Sequence, residues 1–516
     1  MSEVGFWKLA QEDPAHLAVV DPEGSETTAG ELLASCNRVV HGLRALGLKK
    51  GDCVAMMLHN EMPFLEIYFA AMQAGFYFTP INYHLTGPEV AYILEDCEAK
   101  AFVTGDRFVE AATKAIAEIG FPKEASFMTG KVADGFRPYS DLTAGQPDSN
   151  PEDRCIGQQM LYTSGTTGRP KGVRRAMSEM DPDMGAGLSA MLGTLFDIPI
   201  GPGAHLLAGP LYHAAPLAFG TGAMHLGQTA VLMDKWTPQR TLELIEKYKI
   251  TTSHMVPTMF HRMLALPEDV KNSYDLSSLV TVIHAAAPCP IDVKQRMIEW
   301  WGPKIYEYYA ATEGGGSMVK PLEWLEHPGT VGRAWPGSEL KILDDDGNEC
   351  PPNEPGTVYM GTMIGDFEYF KDKEKTQSNR RGNLFTVGDI GYLDDEGWLF
   401  LCDRKVDMII SGGVNIYPAE VEAVLLTHPK VGDAAVLGVP NTEWGEEVKA
   451  VIEPAVDVKA SDELAEELMA FCKERLATFK LPRSIDFRDQ LPRLDTGKLY
   501  KRLLRDEYWA GHEKKI

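Results

Sequence analysis

At 516 residues the chain is too long for one hydrophobic core, so two or more domains are expected. Hydrophobic content of 44% and charged content of 24% fit a water-soluble globular protein, with no apolar run long enough for an integral membrane segment. The net charge of −24 argues against nucleic acid and anionic membrane surfaces as partners, and eight scattered cysteines without a C-x-x-C read as reduced thiols of a cytoplasmic protein.

Helix and strand signals alternate from the start. Thr28-Ala29-Gly30-Glu31 is a capping box, followed by a helical apolar stripe over 32–46. Residues 53–58 read as a buried strand, 63–74 as a helix and 76–81 as a second strand. Thr86-Gly87-Pro88-Glu89 is another capping box with proline in its first turn, and 100–104 is a third strand. Such alternation implies a parallel sheet covered by helices. His41, His59 and His84 show no metal-ligand spacing and read as structural.

Residues 130–153 are rich in Gly, Pro, Asp and Ser and read as a loop. A strand around 160–162 then leads into Thr163-Ser164-Gly165-Thr166-Thr167-Gly168-Arg169-Pro170-Lys171-Gly172, with three glycines, four hydroxyl residues and one lysine. Glycines let backbone N–H groups approach a ligand and form an anion-binding nest. The hydroxyls add donors and Lys171 adds a mobile positive charge. The spacing is not that of the helix-opening P-loop, yet the composition suits a loop wrapping a polyphosphate. Its expected place is the carboxyl end of a strand in an open α/β sheet.

Further on, a strand ends at Gly209-Pro210, and Tyr212 and His213 follow on a loop. Ala214, Ala215, Gly220 and Gly222 leave room for a bulky substrate, or serve close helix packing. Thr237-Pro238 opens a helix to 249, 251–256 is a strand, and Pro257 begins a helix with Phe260 and Met263 inward. A strand over 279–287 ends in Ala285-Ala286-Ala287-Pro288, and one over 304–308 opens into Tyr309-Ala310-Ala311-Thr312-Glu313. Residues 329–361 read as short antiparallel strands, and Asp394-Asp395-Glu396-Gly397 as a hairpin turn. Beyond residue 403 comes a small α+β region with a helix over 420–426, a strand over 434–439 and a Ser461-capped helix to 476. The first residues lack an apolar signal core, and the last three are not a peroxisomal tripeptide.

Five of these elements, in this order, resemble adenylate-forming enzymes: acyl-CoA synthetases, firefly-type luciferases and peptide-synthetase adenylation domains. They are the glycine loop 163–172, Tyr309-Ala310-Ala311-Thr312-Glu313, Thr386-Val387-Gly388-Asp389, Ser411-Gly412-Gly413-Val414-Asn415, and Pro492-Arg493-Leu494-Asp495-Thr496-Gly497-Lys498. Two departures stand out: Ala310 occupies a common glycine position, and Val406 stands where a hinge Asp or Lys is usual. The resemblance implies an α/β fold with a large N-terminal domain, 1–403, of parallel sheets covered by helices plus an antiparallel subdomain. A small mobile α+β C-terminal domain, 404–516, would follow.

The resemblance also implies site residues. Lys498, Glu313 and Thr166 would be catalytic. ATP and AMP would be held by Thr163, Ser164, Gly165, Thr166, Thr167, Lys171, Ala286, Tyr308, Thr312, Asp389, Arg404, Asn415 and Lys498. The adenine could stack on the tyrosine at 308 or at 309. Asp389 would take the ribose hydroxyls, Arg404 ribose and phosphate, and Glu313 Mg²⁺. His213 would gate the acyl pocket, and Gly412 and Gly413 would approach CoA. The implied reaction is ATP-dependent activation of a hydrophobic carboxylic acid (fatty, steroid-side-chain or aryl), then transfer to CoA. An amine or carrier-protein acceptor, and an inactive nucleotide-binding module, stay open as alternatives, as does a homodimer.

Overall fold

The computed structural model describes residues 4–163, 170–362, 366–412, 414–493 and 497–510. The chain forms two compact units. Met1–Met255, Leu266–Ile283 and Ile364–Ser378 make the first, and Val256–Ala265, His284–Met363 and Asn379–Ile516 make the second.

The first unit grows from strand–helix alternation. Helix Ala29–Ala45 starts at the expected capping box: the Thr28 N–H donates to the Glu31 carboxylate at 2.9 Å, and the Glu31 N–H donates to the Thr28 hydroxyl at 3.3 Å. The Thr86 N–H likewise donates to Glu89 at 2.8 Å at the head of helix Gly87–Asp96. Each helix carries the chain back to the start of the next strand, so the strands pair in parallel. One six-stranded sheet runs Arg137–Pro138, Ser126–Thr129, Ala99–Gly105, Cys53–Met57, Tyr77–Pro80 and Gln158–Gln159, all parallel. Strand Cys53–Met57 is buried throughout because helices cover both faces. Its period of two sends Val54 and Met56 into one core and Cys53, Ala55 and Met57 into another.

A second set of strands runs Thr252–Met255, Ala204–Leu207, Thr229–Leu232, Leu17–Val20 and Glu26–Thr28, parallel except for the last pair. The stretch 130–153, expected as a loop, carries strand Arg137–Pro138 and short helix Tyr139–Thr143. Buried Leu142 anchors that helix, and a helix of five residues is too short to give a periodic signal.

The second unit is mainly antiparallel. Hairpin Ile305–Ala311 with Gly314–Val319 extends to Arg333–Ala334. Strands Ser338–Leu343, Gly356–Thr362, Asp389–Leu393 and Leu399–Arg404 belong to a six-stranded antiparallel sheet. The last part holds a five-stranded sheet centred on Val431–Asn441 and Gly445–Pro454, with Ser484–Phe487 parallel to the latter. Helices Pro418–Leu425 and Asp462–Lys473 supply buried residues Val421, Leu425, Leu464 and Leu468 to its core. The architecture is thus α/β, with parallel sheets in the large N-terminal region and a small C-terminal domain. No helix among the described residues is long and apolar enough to cross a membrane.

One backbone contact sets the position of the C-terminal segment. Gly497 has φ 74°, and a Cβ there would lie 2.4 Å from Thr258 Oγ1 and 2.8 Å from Val256 Cγ2, at the start of helix Pro257–Leu264. Gly497→Ala therefore combines left-handed strain with a clash, and should weaken docking of this segment by about 1–3 kcal/mol. Hydrogen exchange should quicken in helix Lys501–Tyr508 while strand Cys53–Met57 is unaffected. Equal protection in variant and parent would contradict this.

Candidate active site

In the first unit, Thr163 ends strand Leu161–Thr163 and Lys171 opens strand Lys171–Arg174. The two residues are cross-strand partners. The signature begins at the carboxyl end of a strand, as expected, but that strand belongs to a three-stranded antiparallel sheet completed by Glu368–Tyr369 and not to an open α/β sheet. The physical reason is that 171–174 pairs back on 161–163 instead of entering a helix. Ser164, Gly165, Thr166 and Thr167 lie outside the described residues. The Lys171 ammonium contacts the Asp372 carboxylate at 2.7 Å. That hydrogen bond raises the lysine above its ordinary value and lowers the aspartate below its own, so both stay charged.

His213 sits at the N-cap of helix Ala214–His225, just after strand Ala204–Leu207, with its ring 4.1 Å from that of buried Tyr212. Tyr212 meets Tyr83 edge to face at 4.9 Å. Of the small residues nearby, Gly220 serves packing: a Cβ there would come within 2.4 Å of the Leu207 side chain.

The second unit gathers most of the other expected residues. Thr312 and Glu313 form the turn of the 305–319 hairpin, and Glu313 is only 5% exposed. Along Ile305–Ala311 successive side chains alternate, which separates the two tyrosines. Tyr308 packs near Trp335, ring centroids 6.2 Å apart. Tyr309 instead donates its hydroxyl to Asp389 Oδ2 at 2.7 Å. Burial, and then Asp389, push the Tyr309 phenol well up, so it remains a donor. Asp389 opens strand Asp389–Leu393, and Arg404 ends the paired strand Leu399–Arg404 directly opposite. Arg404 Nε forms an ion pair with Asp389 Oδ1 at 3.2 Å. Ala286 follows strand Thr281–His284 with φ 77°, a left-handed turn made by a residue with a Cβ.

Lys498 joins this cluster. Burial, and then the Arg404 guanidinium, depress its ammonium to about 8, with Asp389 and Asp407 acting the other way. Its position is fixed by neighbours. Arg493 donates to the Gly497 carbonyl at 2.5 Å and to Asp433 Oδ1 at 2.6 Å, and Arg505 pairs with Asp407. Leu494, Asp495 and Thr496 lie outside the described residues. Gly412 and Asn415 occupy an exposed hairpin formed by Ile409–Ser411 and Val414–Ile416, with Gly413 outside the described residues. The Gly412 N–H donates to the Trp444 carbonyl at 2.8 Å, and the indole lies over Gly412.

Among the described residues, no group of three or more His, Cys, Asp or Glu side chains could cage a metal. A single buried carboxylate, Glu313, suits a hard cation that takes its other ligands from phosphate and water. Sequence reasoning did not single out Asp372 or Asp407. Their roles arise from pairings with Lys171 and Arg505, far away in sequence, and no local periodicity signals such pairs.

Comparison with known proteins accords with this geometry. The AMP-binding enzyme family model matches residues 6–364, and the AMP-binding enzyme C-terminal domain model matches residues 420–498. A fatty acid–[acyl-carrier-protein] ligase of Streptomyces coeruleorubidus is 32% identical over 98% of this chain and 96% of its own. A feruloyl-CoA synthase of Amycolatopsis sp is 33% identical over 98% of this chain and 99% of its own. The crystal structure of an anthranilate CoA ligase in complex with anthranoyl-AMP superposes with a TM-score of 0.86 at 26% identity, covering 98% of both chains. The chain therefore belongs to the AMP-binding, adenylate-forming enzymes and is an AMP-forming adenylating ligase.

Proposed function

We propose that the chain activates a hydrophobic carboxylic acid as its acyl-adenylate and transfers the acyl group to CoA, releasing pyrophosphate and then AMP. The observation that carries this reading is the Tyr309–Asp389–Arg404–Lys498 cluster, which sets the lysine of the C-terminal segment beside an ion pair suited to a nucleotide. In the first step a carboxylate oxygen attacks the α-phosphorus as the bond to pyrophosphate breaks. Two anions must meet, so charge neutralisation dominates the barrier. Lys498 bridges carboxylate and α-phosphate, Thr312 also binds the α-phosphate, and Lys171 serves the β- and γ-phosphates with Thr163, Ser164, Gly165, Thr166 and Thr167. Glu313 would hold Mg²⁺, which when bound neutralises phosphate charge.

Asp389 accepts from the ribose hydroxyls, Arg404 donates to ribose and phosphate, and Tyr308 or Tyr309 offers an aromatic face to adenine, with Ala286 lying against the base. His213 borders the acyl pocket. In the second step the thiol sulfur attacks the acyl carbon, the bond to AMP breaks, and the thiol proton passes to solvent. Gly412 and Gly413 line the pantetheine path and Asn415 lies near the nucleotide, in a C-terminal domain that begins at about residue 404 and rotates between steps. A carrier-protein thiol is the second reading for the acceptor, favoured by the name of the Streptomyces relative.

Two measurements follow. Lys498→Ala should lose acyl-adenylate synthesis by about 10²–10³ in rate. It should still convert supplied acyl-adenylate and CoA to thioester at a near-parental rate, and equal loss in both half-reactions would refute a step-specific role. The second concerns pH. The working form of Lys498 is the ammonium, and in the free protein it is lost as pH rises through about 8. The kcat/KM of adenylate formation should therefore be level below about pH 8 and fall above it, about tenfold per unit. A profile level to about pH 9.5 contradicts this.

A further inference from the structure

The ion pair between Lys171 and Asp372 has no place in the reaction as described, yet it occupies the one lysine of the polyphosphate signature. The carboxylate lies on a strap that runs beside the lysine strand. Tyr369 pairs with Val173, and the Phe370 N–H donates to the Gly172 carbonyl at 2.8 Å. The Arg174 guanidinium sits between two rings, 4.3 Å from Phe370 and 4.4 Å from Tyr77. Lys371 reaches the Asp96 carbonyl at 2.8 Å and Glu98 at 3.1 Å. The strap is therefore anchored without Lys171.

Asp372 is also fixed by itself. Its Oδ1 accepts from the Lys375 N–H at 3.0 Å, its carbonyl accepts from Thr376 Oγ1 at 2.8 Å, and its N–H donates to the Tyr369 carbonyl at 2.9 Å. It keeps its place whether or not the lysine is present. Lys171, by contrast, ends in a flexible ammonium, and the pair is reached by water, with side chains 30% and 23% exposed. Partly exposed pairs are weak, so a ligand bringing several negative charges can open this one.

We infer that Asp372 is the resting partner of Lys171, which a polyphosphate must displace to bind and which retakes the lysine when pyrophosphate leaves. This rests on the proposed reading of Lys171 as a ligand of the β- and γ-phosphates. Asp372 then acts as an internal competitor. It neutralises Lys171 in the empty protein, loosens the hold on ligands that carry the outer phosphates, leaves AMP unaffected, and speeds departure of pyrophosphate.

The test is calorimetric binding of Mg·ATP, magnesium pyrophosphate and AMP to the full chain and to Asp372→Asn, Lys171→Ala and the double variant. Asparagine retains the acceptor for the Lys375 N–H, and Asp372→Ser supplies a second variant with a capping oxygen. Asp372→Asn should bind Mg·ATP and magnesium pyrophosphate about two- to fivefold more tightly, the range expected for losing a weak ion pair. AMP affinity should not change, and the tightening should vanish in the double variant. Weaker polyphosphate binding by Asp372→Asn would make Asp372 a positioning group and overturn the inference. Equal tightening for AMP, or tightening that persists without Lys171, would reduce it to a general field effect and overturn it too. If Lys171→Ala weakens polyphosphate binding and Asp372→Asn does nothing, only this inference falls. If Lys171→Ala itself has no effect, the reading of Lys171 falls with it.

Discussion

The constraint on which the second unit depends is the placing of one cation, Lys498, near another, Arg404, in a partly desolvated site. Like charges repel there, and burial penalises the Lys498 ammonium further. Asp389 offsets both: it pairs with Arg404 Nε at 3.2 Å and lends its negative field to Lys498. Tyr309 occupies the other carboxylate oxygen, so both oxygens are fixed before any ligand arrives. Such preorganisation is what a reaction between anions requires, because the donors need not be reoriented as charge develops.

The segment carrying Lys498 is held on both sides of that residue. Arg493 ties the Gly497 carbonyl to Asp433, Gly497 passes close to Val256 and Thr258, and Arg505 engages Asp407. In the first unit, Lys171 is engaged directly by Asp372. In a chain of net charge −24, local positive potential has to be built residue by residue. The two lysines differ in setting: Lys171 is raised above its ordinary value by its partner, and Lys498 is lowered to about 8 by burial and then by Arg404.

Local chemistry was readable from the chain wherever it is set by neighbours in sequence. The Thr28–Glu31 and Thr86–Glu89 boxes, the helix opened by Thr237-Pro238, and the turn at Asp394-Asp395-Glu396-Gly397 are formed as expected, because each is decided within a few residues. Motifs drew attention to Glu313 and Asp389, which the fold places at a hairpin turn and at a strand start, and period two explains why Tyr309 rather than Tyr308 reaches Asp389. The setting of the glycine loop was misread, since a strand followed by glycines looks alike whether its partner is parallel or antiparallel. Only the pairing of Thr163 with Lys171 decides that. Strand Gly445–Pro454 and helix Lys501–Tyr508 were missed for a related reason. Glu446, Lys449 and Lys501 look solvent-bound in sequence, but Lys501 is buried against Glu422 at 2.8 Å and Lys449 bonds Asp486 at 2.7 Å.

The central claim is that one chain joins acid activation to thioester formation. It is tested most directly by following pyrophosphate and AMP separately while a panel of fatty, steroid-side-chain and aryl acids is offered with Mg·ATP, with and without free CoA. The account predicts that at least one hydrophobic acid triggers pyrophosphate release without CoA, and that stoichiometric AMP release then requires CoA. Pyrophosphate release with AMP freed only on adding a carrier protein or an amine would contradict CoA as acceptor. Absence of pyrophosphate release with every acid would contradict the account as a whole.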